Sequence, residues 1–279
     1  MKIDSHHHFW NYDPADYGWI DDSMDQLRRD FTPANLKQEI DSVGIDGVVS
    51  VQARQSFEET EFLLDYGDAN DFILGVVGWV PLRHANVQSQ LDAVSERPKL
   101  KALRHVVQDE PDDSFLLGED FNRGVKLLRD YGLAYDILIF EKHLPVATKF
   151  IDLHPDQTFI LDHIAKPRIR EKQLEPWRSN IIDIAKRPNV FCKFSGLVTE
   201  ADHGAWTAND LLPYWETVLE AFGPQRLMFG SDWPVCLIAS EYKRWFQIAN
   251  RFAAELSQAE QSAFFGASAA KAYGVQIPN

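Results

Sequence analysis

Eight short apolar runs alternate with eight amphipathic segments along this sequence, and that alternation limits the open folds more than any other feature. The runs span 2–5, 47–52, 73–80, 102–107, 134–140, 158–162, 190–194 and 226–229. Most are continuously apolar, as expected of strands covered on both faces. The intervening segments span 33–43, 57–69, 86–95, 120–131, 144–153, 177–186, 210–222 and 240–256. Strict βα alternation demands a mainly parallel sheet, either open and doubly wound or closed into a barrel. No glycine-rich phosphate fingerprint follows the first run, so a dinucleotide-binding open sheet loses its main support. Eight units favour closure, and the expected fold is α/β, a single (β/α)8 barrel. One such domain is expected to span 1–279, and a last helix over 258–273 is expected to pack outside the barrel.

Several element ends are chemically legible. Gly44 fits the position just past a helix, Pro188 cannot continue the helix before it, and Thr32 and Ser240 are expected N-caps. The connections 10–32 and 105–119 are long, and both fall at the C-terminal ends of strands, where barrels carry their function.

A formal charge of −14 without a local Lys/Arg cluster speaks against nucleic acid and acidic membranes as partners. No apolar run approaches the roughly 20 residues a membrane span needs. The opening MKIDSHHHFW has neither the basic nor the apolar region of a secretory signal, and there are only two cysteines, Cys192 and Cys236. A cytoplasmic location is therefore expected. Oligomeric state is not legible.

His6 and His8 close the first strand on one side of it, with His7 on the other. Two inward imidazoles at a strand's C-terminal end can hold a divalent cation or donate hydrogen bonds. His163 follows the sixth strand and Asp232 the eighth. Either alone reads more readily as a helix cap or a satisfied structural residue, but four such groups reaching one rim are hard to explain by capping. Arg104 offers a donor fork for a carbonyl, hydroxyl or carboxylate, with a plain salt bridge as the alternative. Lys193 stands inside an apolar strand and needs a partner there, whether substrate or a structural ion pair. Trp10, Trp79 and Trp233 end their strands and could stack on the flat face of a ligand, although such aromatics commonly only pack. Gln52 and His105 are weaker candidates for the same lining.

Five segments carry a resemblance: Asp4-x-His6-x-His8-x-Trp10, Leu-Arg-His-Val-Val-Gln-Asp-Glu at 103–110, Asp-His-Ile-Ala-Lys-Pro at 162–167, Lys-Phe-Ser-Gly-Leu at 193–197 and Gly-Ser-Asp-Trp-Pro-Val at 230–235. In this order they resemble the amidohydrolase-2 branch of the amidohydrolase superfamily, in particular sugar lactonases of the L-fuconolactonase and L-rhamnono-lactonase kind. The resemblance spans nearly the whole chain. It implies a barrel hydrolase of carbohydrate catabolism that opens a small sugar lactone, with His6, His8, His163 and Asp232 as the hydrolytic centre and Asp232 activating water. Arg104 and His105 stand where a metal-bridging lysine is found in binuclear members, so a two-metal centre is not expected.

A free aspartate ionises near pH ~3.9 and is a feeble base for bulk water, so burial or a cation must help. One Zn²⁺ on His6, His8 and Asp232, with His163 nearby, would serve; so would direct donation by His6, His8, His163 and Arg104. The cation is allowed and not required. A metal-dependent decarboxylase of the same superfamily, or a sugar-acid binding barrel without activity, are the competing readings.

Overall fold

All eight apolar runs form strands, and neighbours in sequence are neighbours in the sheet. The computed structural model describes residues 1–276; the last three residues of the expected 1–279 domain lie outside them. The strands are β1 (Ile3–His7), β2 (Gly47–Val51), β3 (Ile73–Gly78), β4 (Leu100–Val106), β5 (Ala134–Leu138), β6 (Phe159–Leu161), β7 (Val190–Phe194) and β8 (Leu227–Phe229). They pair in parallel in the order β1 to β8. The seam between β1 and β8 is made mostly just past β8: the backbone N–H of His8 donates to Trp233 O at 2.7 Å, and that of Asp232 donates to His6 O at 2.8 Å. The expected (β/α)8 barrel is the observed fold.

The helices, α7 at the cavity rim and the others on the outside, are α1 (Pro33–Val43), α2 (Phe57–Ala69), α3 (Val87–Ser95), α4 (Glu119–Leu128), α5 (Leu144–Asp152), α6 (Trp177–Ile184), α7 (Leu197–Glu200), α8 (Ala208–Phe222) and α9 (Tyr242–Phe252). Thr32 caps α1, with its N–H donating to the Asn35 side chain at 3.0 Å, and Gly44 ends it in the left-handed conformation. Ser240 is not the cap of α9: that place belongs to Glu241, and the Ser240 hydroxyl donates to the Glu241 carbonyl instead. The four-residue α7 and the 3₁₀ turn Asp22–Leu27 were not expected.

The expectation for the C-terminal helix is corrected. After α10 (Gln258–Ser262) and one wide turn, α11 (Ser268–Tyr273) does not lie on the outer helical ring. Its Ala269, Ala270, Ala272 and Tyr273 pack with Val49, Val77, Ala102, Ile160 and Met228, which point into the barrel. The small alanine face lets the helix close the N-terminal mouth. The Tyr273 hydroxyl then reaches Asp136 Oδ2 on β5 at 2.7 Å.

The interior is tiered. Above that apolar floor the next inward residues on β4, β5 and β7 are Arg104, Asp136 and Lys193, followed at the C-terminal ends by His8, His163 and Asp232. A cavity of about 630 Å³ opens above them. Its rim includes part of the long excursion after β1, which the Trp10–Phe31 backbone pair pins at its base.

Candidate active site

His6 and His8 stand two apart at the end of β1 and so share its inner face, while His7 turns outward to the Ser50 hydroxyl at 2.9 Å. The Nε2 atoms of His6 and His8 are 3.2 Å apart. Asp232 Oδ1 lies 3.5 Å from His8 Nε2, 3.8 Å from His6 Nε2 and 3.9 Å from His163 Nε2. Four groups from β1 and the segments after β6 and β8 thus converge on one point at the cavity floor, with His6 fully buried just beneath His8.

Backbone strain holds two of them. His163, Ile164, Ala165 and Lys166 have φ of 52°, 49°, 62° and 47°, a left-handed turn without a glycine, and Asp232 has φ 58°. Each costs roughly 1–2 kcal/mol, so packing must enforce them. Part of that enforcement is the Trp177 indole, which donates to Ile164 O at 2.7 Å. Gly196 makes the room: a Cβ there would lie 2.5 Å from His163 Nδ1, and its own φ is +68°. The His163 Nδ1 pairs with the Ser195 hydroxyl at 2.9 Å.

Beneath the floor lies a buried ionic layer. Lys193 Nζ donates to Asp136 at 2.6 Å and to His6 Nδ1 at 3.0 Å, and lies 2.9 Å from Asp162. Arg104 donates to Asp162 at 2.9 Å and to the Gln52 carbonyl. Burial pushes the Asp136 carboxyl up to about 6 despite Lys193. Burial pushes Asp162 the same way, but Lys193, His6 and Arg104 outweigh it and hold Asp162 well below the usual range.

Burial, with the charge of Lys193, keeps His6 neutral, its pKa well below the ordinary value; burial also lowers His8, and takes His163 down to about 4. Burial works to raise Asp232, yet His163 and His8 more than offset it and keep the carboxylate ionised. The floor is therefore three neutral imidazoles around one anion.

Such a set suits a divalent cation. A tetrahedral zinc with bonds of ~2.0–2.1 Å has ligand-to-ligand edges of roughly 3.4 Å. The edges among His6, His8 and Asp232 are 3.2, 3.5 and 3.8 Å. His8 is ready: its Nδ1–H donates to the Val51 carbonyl at 2.8 Å, leaving Nε2 as a lone pair. His6 is set the other way. The Lys193 ammonium donates to its Nδ1 at 3.0 Å while Arg104 Nη1 approaches its Nε2 at 3.4 Å; the nearer donor takes the one lone pair of the neutral ring, so Nε2 carries the hydrogen and faces His8. Holding a cation would require His6 to move that hydrogen to Nδ1, where Asp162 Oδ1 waits at 3.4 Å.

Other expected lining residues lie elsewhere. Adjacent residues on a strand face opposite sides, so Arg104 reaches the cavity while His105 points outward, stacks on Phe115 and pairs with Glu110 at 2.6 Å. Gln52 is buried, donating to the Arg104 carbonyl at 3.2 Å. Lys193 is beneath the floor. Trp10 and Trp233 are core residues packed edge-on against Phe31, and Trp79 donates to His105 at 3.4 Å; none of the three lines the cavity. The aromatic that does is Trp19, 38% exposed. It sits in the excursion after β1, where no strand pattern marks it. Lys166 and Glu200 also line the wall and were missed.

The chain matches the amidohydrolase family model over residues 3–275. It is 41% identical to a Burkholderia multivorans protein named L-fucono-1,5-lactonase, over all of this chain and 97% of that one. It is 33% identical to a Burkholderia ambifaria protein of the same name, with the same coverage. A crystal structure of a Burkholderia multivorans amidohydrolase with bound zinc superposes with a TM-score of 0.95 at 41% identity, covering 99% of this chain and 100% of that one.

Proposed function

This chain belongs to the amidohydrolase family, and from that premise we propose that it opens a small sugar lactone, of the L-fucono-1,5-lactone kind, to the sugar acid, with Asp232 activating water. The observation that carries the reading is the meeting of His6, His8, His163 and Asp232 at the floor of a single cavity. The cavity of about 630 Å³ has room for one sugar ring. Trp19 on its wall offers a ring face to the sugar.

Asp232 is ionised and buried, so a water between it and the lactone carbonyl meets a poorly solvated base. The negative charge that grows on the carbonyl oxygen needs donors. Arg104 supplies a fixed guanidinium at the floor, and one such donor elsewhere is worth about 2.7–4 kcal/mol of transition-state stabilisation. His163, neutral and oriented by Ser195, adds a ring nitrogen at the same place. A zinc ion held by His6, His8 and Asp232 would polarise the carbonyl and lower the pKa of bound water to about 7. Lys193 beneath the floor and Arg104 at it are paired with Asp136 and Asp162, so this ionic layer neither demands nor excludes such an ion.

The partner is accordingly a neutral small molecule, and the −14 charge supports the exclusion of nucleic acid and membrane surfaces. No helix among the described residues is long and apolar enough to cross a membrane. A cytoplasmic location belongs to the same reading and is supported by Cys192 and Cys236, both buried and unpaired.

The test is a panel of aldonolactones assayed by acid release, with and without chelator, for the parent and for Asp232→Asn. We expect ring opening by the parent and at least a ~100-fold loss in the variant at unchanged circular dichroism. A variant as fast as the parent refutes the role of Asp232. Carbon dioxide release from an aromatic acid in place of lactone opening would favour the decarboxylase.

A further inference from the structure

Opening a lactone takes two proton transfers. One removes a proton from the attacking water, and the other supplies one to the ring oxygen as the acyl C–O bond breaks. Asp232 accounts for the first only.

The wall beside Asp232 carries a carboxylate that the scheme above leaves idle. Glu200 ends α7, the short helix just after β7, so it stands next to the β8 rim that carries Asp232. It lines the same cavity as His163, Asp232 and Lys166. Its backbone is fixed, since its carbonyl accepts from Arg170 N at 3.0 Å. Its carboxylate has no hydrogen bond or ion pair among the described residues. Of the other two carboxylates on the wall, Asp16 is already held by Arg54, and Asp109 follows β4, four strands away from the β8 end that carries Asp232.

We propose that Glu200 is the general acid of the reaction, delivering a proton to the ring oxygen; this rests on the lactonase reading above. As water bonds to the carbonyl carbon, Asp232 takes its proton. The tetrahedral species then collapses, the acyl C–O bond breaks with its electron pair on the ring oxygen, and the Glu200 proton goes to that oxygen. The product has one new carboxyl and one new hydroxyl. The proton left on Asp232 returns to Glu200 through solvent, so the enzyme is restored without another reagent.

The surroundings support this division of labour. Burial raises the Glu200 carboxyl above its ordinary 4.5, and the negative charges of Asp232 after β8 and Glu141 after β5 add to that. Lys166 after β6 and His203 after α7 oppose it without cancelling it. Asp232 is shifted the opposite way. Two carboxyl groups driven apart in one cavity suit an acid and a base.

The experiment compares parent, Asp232→Asn, Glu200→Gln and Glu200→Asp on one aldono-1,5-lactone across pH, with the affinity for the sugar-acid product and the melting temperature measured in parallel. For Glu200→Gln we expect kcat to fall about 100-fold or more, with KM and product affinity changed less than about threefold. The alkaline fall of the parent kcat profile should vanish in Glu200→Gln and partly return in Glu200→Asp. Unchanged kcat, a loss carried by KM alone, or a lost rate with the alkaline limb intact each overturns the proposal while Asp232→Asn still tests the base. A parent that opens no lactone overturns both readings.

Discussion

His6 Nε2 faces His8 Nε2 at 3.2 Å, and the hydrogen between them belongs to His6 because Lys193 already donates to its other ring nitrogen. A row of donors thus runs from Lys193 through His6 and His8 to the Val51 carbonyl. Zinc cannot bind His6 Nε2 until that hydrogen leaves it. Nitrogen-15 spectra of chelator-treated protein should place the His6 proton on Nε2, and zinc addition should move it to Nδ1 while His8 stays Nδ1–H. Unaltered His6 resonances at saturating zinc would remove His6 from the ligand set.

Lys193→Met tests the ionic layer. The substitution leaves Asp136 and Asp162 buried without their shared cation, and breaking a buried pair in this way costs about 3–5 kcal/mol. Asp136 keeps only the Tyr273 hydroxyl. Denaturant unfolding should give that loss for Lys193→Met, and adding Asp136→Asn should recover part of it. A loss below ~1 kcal/mol in the single variant would contradict the layer's structural weight.

Gly196→Ala should injure the site more than the fold. The new methyl would meet His163 Nδ1 at 2.5 Å on a backbone with φ +68°. His163 is then pushed off Ser195 and away from Asp232. We expect at least a ~10-fold loss of lactone hydrolysis, with about 1–3 kcal/mol lost from stability. Parent-like activity and melting temperature together would show that His163 does not depend on this close approach.

Glu59 gives a pH signature distant from the floor. It is 1% exposed and accepts from the N–H groups of Ala53 and Arg54 at 3.0 and 2.8 Å, tying down a segment of the cavity wall. Burial raises it from 4.5 to about 7, with those two N–H groups working against the rise. Below pH 4.5 the carboxyl is protonated folded or unfolded, and its contribution to stability is fully present. As pH rises toward and through about 7 the unfolded chain gains by ionising first, so stability falls. The loss is about 3 kcal/mol, as a shift of this order converts. Glu59→Gln should flatten that part of the stability profile; an unchanged slope would assign it to another group.

How much of this was legible follows from what each kind of pattern encodes. Continuous apolar runs mark buried strands wherever they occur, so all eight strands could be read. Strand ends also mark the rim, which is why His6, His8, His163 and Asp232 could be read as meeting. Direction beyond a strand end carries no such mark. Trp10 and Trp233 therefore looked like stacking residues although both pack in the core, while Trp19, out in an irregular excursion, went unseen. Parity separates Arg104 from His105, and adjacent residues of one strand cannot both face a cavity. Asp136 and Asp162 carry no mark of their role, because nothing local reveals that Lys193 meets them from one and two strands away. The placing of α11 was hidden for the same reason: an alanine face suits an outer ring and an open barrel mouth equally well.

The seam that joins His8 to Trp233 and Asp232 to His6 is also where the reacting groups come together. An intermediate with seven of the strand junctions zipped and the β1–β8 seam open would already hold fixed charges, with nothing to act on a substrate. Turnover is thus tied to this most sequence-distant pairing, and a population with native helix content but an open seam would be inert.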